Sequence, residues 1–207
     1  MPPSLSINKI ITAVLKGIEL SQKKYEAWSG GWWLWAAPEY LITVNVAENI
    51  AKLAGSKYIT LEESSRDAIE DAGAKGRGRL PRTIREHGRV DIVLWWASET
   101  PRAIIEIKNQ IYTNAQYIKD VERIKEFLKR NSQSSTLQFG LLAFYDSADE
   151  DIHKNADEKI TAHVERIYQN STLLLGEKFK IQKFLTKIHS DEESAWAGVC
   201  FLIRHHN

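Results

Sequence analysis

The chain has 207 residues, a formal net charge of +1, 43% hydrophobic and 27% charged residues, and a single cysteine, Cys200. This composition allows a substantial core and includes no apolar run near the roughly 20 residues of a membrane span, which argues against a disordered or membrane-embedded protein. A lone cysteine excludes an intrachain disulfide and a cysteine-rich zinc site, and the N-terminus lacks the pattern of a signal peptide, so we expect a cytoplasmic protein with Cys200 in its core.

The first half of the chain predicts two helices and a strand. Apolar residues at helical spacing predict a helix over Ile7–Lys23. A second helix opens with Pro38 at its first position and Glu39 at its positive end, and Gly55 follows as a stop. Alternation of apolar and polar residues predicts a strand over Lys57–Glu63.

A basic, glycine-rich stretch covers Gly73 to Val90 and holds one acid, Glu86. Such a stretch suits a mobile loop that contacts phosphates, and a solvated surface loop is an equally good interpretation. The candidate nucleic-acid-binding residues in it are Lys75, Arg77, Arg79, Arg82, Arg85 and Arg89.

The second half predicts a hairpin in "GRVDIVLWWASETPRAIIEIKN" (Gly88 to Asn109), then helices and strands. Later elements are a helix at Tyr117–Arg130, a strand at Leu137–Asp146, a helix from about Asp157 to Tyr168, and two closing strands in "FKIQKFLTKI" and "AWAGVCFLIR". In the helix after the hairpin, the charged residues, Asp120 among them, are expected to lie away from the apolar stripe. The order predicts an α/β fold with a central mixed β-sheet flanked by helices.

Three charged residues interrupt the hairpin strands. If Asp91 lies opposite Glu106 or Lys108, the midpoint of the turn falls within "SETP", where Ser, Thr and Pro favour a turn. Glu106 and Lys108 then point to one face, with Ile105 and Ile107 on the other. This register predicts that Asp91, Glu106 and Lys108 converge.

Two converging carboxylates repel each other unless a cation lies between them. Carboxylate, carbonyl and water oxygens suit Mg²⁺, with Mn²⁺ as a substitute, whereas zinc would need nearby histidine or cysteine. Lys108 would orient or polarise a water on the metal for attack on phosphorus. The pattern therefore predicts phosphodiester hydrolysis.

These segments resemble the PD-(D/E)xK nuclease superfamily, which has the restriction-endonuclease-like fold. The resemblance depends on "RVDIVLW", "IIEIKN", a preceding helix with a glutamate, and the following strand and helix order, and it covers about residues 38 to 146. Val90 stands where the name of the motif has proline, and the Gln-x-x-x-Tyr element of the exonuclease branch is not evident.

The resemblance implies a role for each matching residue. Asp91 and Glu106 correspond to metal ligands, the carbonyl of Ile107 to a third ligand, and Lys108 to the catalytic lysine. The helical glutamate corresponds to Glu39. Glu48 is the second choice for that glutamate, Asp120 and Arg123 resemble a polar face of some of these enzymes, and Gln110 and Gln116 are candidate polar neighbours.

A single domain over residues 1–207 is expected, with a helical part at about 1–55, a catalytic core at about 56–150 and a C-terminal part at about 151–207. The implied function is a Mg²⁺-dependent nuclease acting on DNA, with RNA left open as a substrate and with no membrane partner. The alternative is an inactive nuclease-fold protein that binds nucleic acid or another protein.

The hairpin charges and Glu39 also allow simpler interpretations. The hairpin charges could face water and pair across the strands, and Glu39 could simply complement the helix dipole. For the tryptophans, core packing or a contact between two copies is expected ahead of base stacking. These residues are Trp28, Trp32, Trp33, Trp35, Trp95 and Trp96.

Overall fold

The structure is a computed structural model that describes residues 5–55, 57–74, 84, 88–130, 134–191 and 193–206. Five α-helices, a short 3₁₀ segment and seven strands occur in these ranges. In chain order they are α1 (Ile7–Ser29), the 3₁₀ segment (Leu34–Ala36), α2 (Glu39–Ala51), β1 (Lys57–Ser64), α3 (Ser65–Asp71), β2 (Arg89–Trp96), β3 (Pro101–Lys108), α4 (Ala115–Lys129), β4 (Phe139–Asp149), α5 (Ala156–Leu175), β5 (Phe179–Leu185), β6 (His189–Ser190) and β7 (Ser194–His205).

The strands form one mixed sheet with the order β1-β2-β3-β4-β7-β5, and β6 pairs with β7. Only β3 and β4 run parallel, because α4 crosses over between them, and the other paired strands are antiparallel. The predicted α/β class and mixed sheet are confirmed. No helix in the described ranges has both the length and the apolar character needed to cross a bilayer.

Each face of the sheet has its own apolar core. One core joins α1 and α2 to the sheet through residues such as Ile18, Val46 and Ile105, and it includes the buried Cys200. The other joins α4 and α5 to the opposite face through residues such as Ile124 and Val164. The sheet is therefore buried between two helical layers.

Helix ends differ from the sequence predictions where capping residues override the apolar pattern. The first helix continues past Lys23 to Ser29 and ends at Gly30, whose φ of 76° is left-handed. Pro38 is the residue before α2 and not its first residue, and that helix ends at Ala51, before Gly55. Sequence reasoning missed α3, because seven residues are too few to show a helical period.

Close contact between α1 and α2 depends on Gly17. A methyl group at this position would lie 2.6 Å from the Cα atom of Val46, which is backbone and cannot rotate away. We expect Gly17→Ala to lower the free energy of unfolding by about 1–3 kcal/mol through overpacking, although the same change in an open helix stabilises by about 0.5–1 kcal/mol. Urea denaturation measures the difference. The exposed neighbour Lys16 supplies the control, since Lys16→Ala should stay within about 0.5 kcal/mol of the wild type.

Candidate active site

The candidate site lies where β2 and β3 separate. Their pairing includes Ile92 opposite Ile105, and the same register continued by one residue places Asp91 opposite Glu106, one of the two partners that the turn position allows. Beyond Ile105, the ladder to β2 is not continued, and the Asp91 carboxylate accepts the Ile107 amide proton through Oδ2 at 2.6 Å. A carboxylate oxygen thus replaces the missing backbone acceptor.

This hydrogen bond also sets the direction of the Ile107 carbonyl. The N–H and C=O groups of one strand residue point to the same edge of the strand, so the Ile107 carbonyl faces the gap beside Asp91. Asp91 Oδ1 has no hydrogen-bond partner within the described ranges. The Asp91 carboxylate and the Ile107 carbonyl therefore border one gap.

Lys108 follows at the end of β3 and bridges the two helical layers. Its Nζ donates to the Ile107 carbonyl at 2.8 Å, lies 3.3 Å from Oε1 of Glu39 on α2, and lies 3.4 Å from Oδ2 of Asp120 on α4. Both helices therefore meet at one ammonium group.

Glu106 is 1% exposed, so the interpretation that the hairpin charges face water is wrong for this residue. Its Oε1 accepts from Arg123 Nη1 at 2.8 Å, and the other terminal nitrogen of Arg123 lies 3.4 Å from Oδ1 of Asp120. Arg123 Nη1 also donates to the Arg89 carbonyl at 3.0 Å. Arg123 therefore ties α4 to both strands of the hairpin.

Glu39 and Glu48, the two candidates for the helical glutamate, lie in different surroundings. Glu39 is the first residue of α2, and besides its contact with Lys108 it accepts from the Asn109 amide through Oε2 at 3.0 Å. Glu48 instead pairs with Lys52 at 2.7 Å and Lys24 at 3.6 Å. The structure brings Glu39 to the site and leaves Glu48 among lysines.

These residues form a group that we call the charged cluster, with four carboxylates and two cations and a formal charge of minus two when all are ionised. Its members are Glu39, Asp91, Glu106, Lys108, Asp120 and Arg123.

Burial and crowding raise the pKa values of Asp91, Glu106 and Asp120. Burial raises the pKa of Asp91 to about 6, against the Ile107 hydrogen bond and the Lys108 charge. Burial also raises the pKa of Glu106, with Asp91 and Asp120 adding to it against Arg123. The pKa of Asp120 is raised mainly by burial. These three carboxyl groups therefore hold protons more strongly than exposed carboxylates would.

The pKa of Lys108 is also raised, although burial acts on an ammonium group in the opposite direction. Burial alone would lower the pKa of its ammonium group, but the four carboxylates, Asp120 foremost, outweigh burial and raise that pKa. Lys108 is therefore a cation at neutral pH and a hydrogen-bond donor, not a base.

The oxygen atoms at the gap are chemically suited to a hard divalent cation. The Asp91 carboxylate and the Ile107 carbonyl border the gap, Glu106 lies opposite Asp91, and the charged cluster combines four acids with two cations. Mg²⁺ typically takes one or two carboxylates and keeps several waters. Within the described ranges, however, no three His, Cys, Asp or Glu side chains are grouped as a metal site. The fit is thus to an ion with few protein ligands.

The structure corrects the predicted position of Asp120 and adds polar residues that the sequence did not indicate. Asp120 is 5% exposed, so its expected place away from the apolar stripe of α4 is wrong. It lies three residues after the buried Tyr117 and four before the buried Ile124, a spacing that faces the sheet, and this spacing could have identified it. Asn109 and the pair of Asp146 and His163, with Nδ1 2.9 Å from Oδ2, were also missed.

Most of the predicted nucleic-acid-binding loop lies outside the described residues, namely Lys75, Arg77, Arg79, Arg82 and Arg85. Arg89 is described, exposed, and starts β2 at the border of the site. Its guanidinium donates to the Glu62 carbonyl at 3.4 Å.

Of the two roles expected for the tryptophans, core packing is wrong for three of them, and a contact between two copies stays a prediction. Trp28, Trp32 and Trp35 are 70%, 59% and 47% exposed. Trp95 is buried as expected, and Trp33 is half-buried. Gln110, a candidate polar neighbour of the site, donates to the Ser147 carbonyl at 2.7 Å and to Asp146 Oδ1 at 3.2 Å.

Comparisons with known proteins give no relative for this chain. No family model, curated protein or solved structure matches it.

The raised pKa of Asp91 has a consequence for stability. An aspartate has a pKa near 3.9 in the unfolded chain, so its contribution to stability is fully present below about pH 4 and is lost as pH rises through about 6. We expect Asp91→Asn to increase the free energy of unfolding of the metal-free protein by about 1–3 kcal/mol at pH 8, and this gain should shrink toward pH 4.

Chemical denaturation in chelator at pH 4 and pH 8 measures this difference. The exposed acid Glu150 provides the control, and Glu150→Gln should show little change at either pH. A destabilised Asp91→Asn protein at pH 8 would contradict the account.

Proposed function

We propose that this protein is a metal-dependent nuclease that hydrolyses phosphodiester bonds of DNA. The observation that carries the proposal is the convergence of Asp91, Glu106 and Lys108 with Glu39 at the point where β2 and β3 separate. Perturbed carboxyl pKa values next to a buried lysine are typical of a site for chemistry. A purely structural cluster has less reason to combine four acids with two cations.

The order of elements supports a core of the PD-(D/E)xK type and the restriction-endonuclease-like form of the α/β fold. A helix that begins with a glutamate precedes three antiparallel strands, and a crossover helix then leads to a strand parallel to the third. The acid of β2 and the Glu-Ile-Lys segment of β3 occupy the positions that this pattern gives to its motif.

In this proposal Asp91, Glu106 and the carbonyl of Ile107 hold Mg²⁺, and Mn²⁺ substitutes for it. The bound ion would neutralise charge on the phosphoryl oxygens and make water more acidic. Water forms the new bond to phosphorus while the bond to the leaving ester oxygen breaks, which yields one phosphate monoester and one hydroxyl group. The proton lost by the attacking water balances the proton gained by the leaving oxygen.

The protein's own groups position this reaction. Lys108 enters as an ammonium group, so it can donate to the attacking water or to a phosphoryl oxygen. Glu39 and Asp120 hold that ammonium from two sides, at 3.3 and 3.4 Å. The basic residues Lys75, Arg77, Arg79, Arg82, Arg85 and Arg89 are proposed to contact the DNA backbone.

One observation favours a second candidate function. Arg123 already neutralises Glu106 at 2.8 Å, which is the arrangement that a nuclease-fold protein without a metal would need. In that case the chain would bind nucleic acid or a protein partner without turnover. Metal binding and cleavage separate the two candidates.

Cleavage assays with Mg²⁺ or Mn²⁺ on single- and double-stranded DNA test the leading proposal. We expect Lys108→Ala and Asp91→Asn each to lower the rate by at least about a hundredfold, as losses of electrostatic stabilisation do. Glu39→Gln should lower the rate less, because an amide can still accept from the Asn109 N–H.

The control for Glu39 lies on the same helix. Glu48→Gln removes an acid that pairs only with lysines at the far end of α2, and it should leave the rate unchanged. Cleavage that survives both Lys108→Ala and Asp91→Asn would refute the assignment of the site.

Metal binding should depend on pH in a defined direction. Because the pKa of Asp91 is raised to about 6, protons compete with the ion below that pH. Calorimetry with Mn²⁺ should show binding that strengthens from pH 5 to about 7.5 with release of protons, and Asp91→Asn should abolish it. No carboxylate-dependent uptake at any pH would support the inactive binding protein instead.

A further inference from the structure

An aromatic cleft lies beside the charged cluster. It has a volume of about 660 Å³, and its lining includes Trp32, Trp33, Trp35, Tyr112, Gln110 and Ser147. Tyr112 is 65% exposed, so together with Trp32 and Trp35 it offers ring surface to solvent within the cleft. Several exposed aromatic rings in one cleft suit a flat ligand.

The rings are exposed because the backbone holds them there. Gly30 and Gly31, with φ of 76° and 108°, turn the chain away from α1 before Trp32. The Leu34 amide donates to Gln22 at 2.8 Å and the Tyr25 hydroxyl donates to the Ala36 carbonyl at 3.3 Å. The exposed tryptophans are therefore part of a hydrogen-bonded turn.

Asn109 joins this turn to the candidate active site. Its side-chain amide donates to the carbonyls of Leu34 at 2.9 Å, Trp35 at 3.4 Å and Ala37 at 2.8 Å. Its backbone amide binds Glu39, and it directly follows Lys108. The cleft lining thus includes Gln110, two residues along the chain from Lys108.

The lining favours bases over phosphates. Besides rings it presents amide and hydroxyl groups, and its charged residue is an acid, Asp149, which accepts from Ser194 at 2.8 Å. An acid repels phosphates but tolerates neutral, flat nucleobases. Bases inside a duplex are already stacked, so only unpaired bases can lie on such rings.

We propose that this cleft binds unpaired bases of single-stranded DNA and leads the strand to the charged cluster. The identity of the polymer rests on the proposed function, whereas stacking on Trp32 and Trp35 rests on the cleft alone. The preferred substrate is then single-stranded DNA or an opened duplex end.

Fluorescence anisotropy tests the cleft in the absence of turnover. Labelled oligodeoxythymidine and a blunt duplex of equal length would be titrated with protein in chelator. We expect tighter binding of the single strand, and we expect Trp32→Ala and Trp35→Ala each to weaken it by roughly five- to a hundredfold, the range for loss of one base stack. An oligomer with abasic sites should lose affinity to a similar degree.

Trp28 provides a matched control, since it is the most exposed of these tryptophans and does not line the cleft. Trp28→Ala should keep single-strand binding within about twofold. Thermal unfolding of all three variants separates loss of stacking from loss of fold.

Several results would overturn the inference. They are equal binding of single strand and duplex, equal effects of the three tryptophan variants, tighter Trp32-dependent binding of the matching RNA, or a dimer of the free protein that Trp32→Ala dissociates. Failure of the proposed nuclease function would differ from failure of the cleft proposal. Cleavage would then be absent while tryptophan-dependent binding of single-stranded DNA persists.

Discussion

The arrangement of the candidate site depends on the hydrogen bond from the Ile107 amide to the Asp91 carboxylate. A buried amide left without an acceptor would oppose the separation of β2 and β3. The carboxylate supplies that acceptor, so the strands can part and leave room for a substrate or ion at the end of the sheet. The same contact keeps Asp91 in a partly buried position where ionisation is unfavourable. The buried carboxylate of the proposed site therefore works against the stability of the fold, as is common at catalytic centres.

The rest of the charged cluster comes from both helical layers. The layer of α1 and α2 supplies Glu39, and the layer of α4 and α5 supplies Asp120 and Arg123. The hairpin alone holds two acids and one lysine, and only docking of the helices gives Lys108 and Glu106 their partners. The proposed chemistry therefore depends on the packing of the whole sheet, including the close contact of α1 and α2 at Gly17.

Sequence reasoning predicted the features that local rules control. Period-two alternation and the turn in "SETP" predicted a hairpin with Asp91 opposite Glu106 or Lys108, and the element order predicted the mixed sheet. Features that depend on distant contacts were beyond it. Asn109 binds carbonyls more than 70 residues away in sequence, which has no local signal. The burial of Asp120 has two opposed signals in the sequence, because its charge predicts exposure whereas its spacing from Tyr117 and Ile124 predicts a place facing the sheet.

Lys108 also has a mechanical role. Its ammonium group touches an acid from the helix layer on each side of the sheet, and the chain after it fixes the tryptophan turn through Asn109. The start of α2, helix α4 and the tryptophan turn are remote from one another in sequence, and all three are therefore held by contacts with Lys108 and Asn109. Local opening of this end of the sheet must break these contacts together, so amide hydrogens near the start of α2 and the end of β3 should exchange as one cooperative unit.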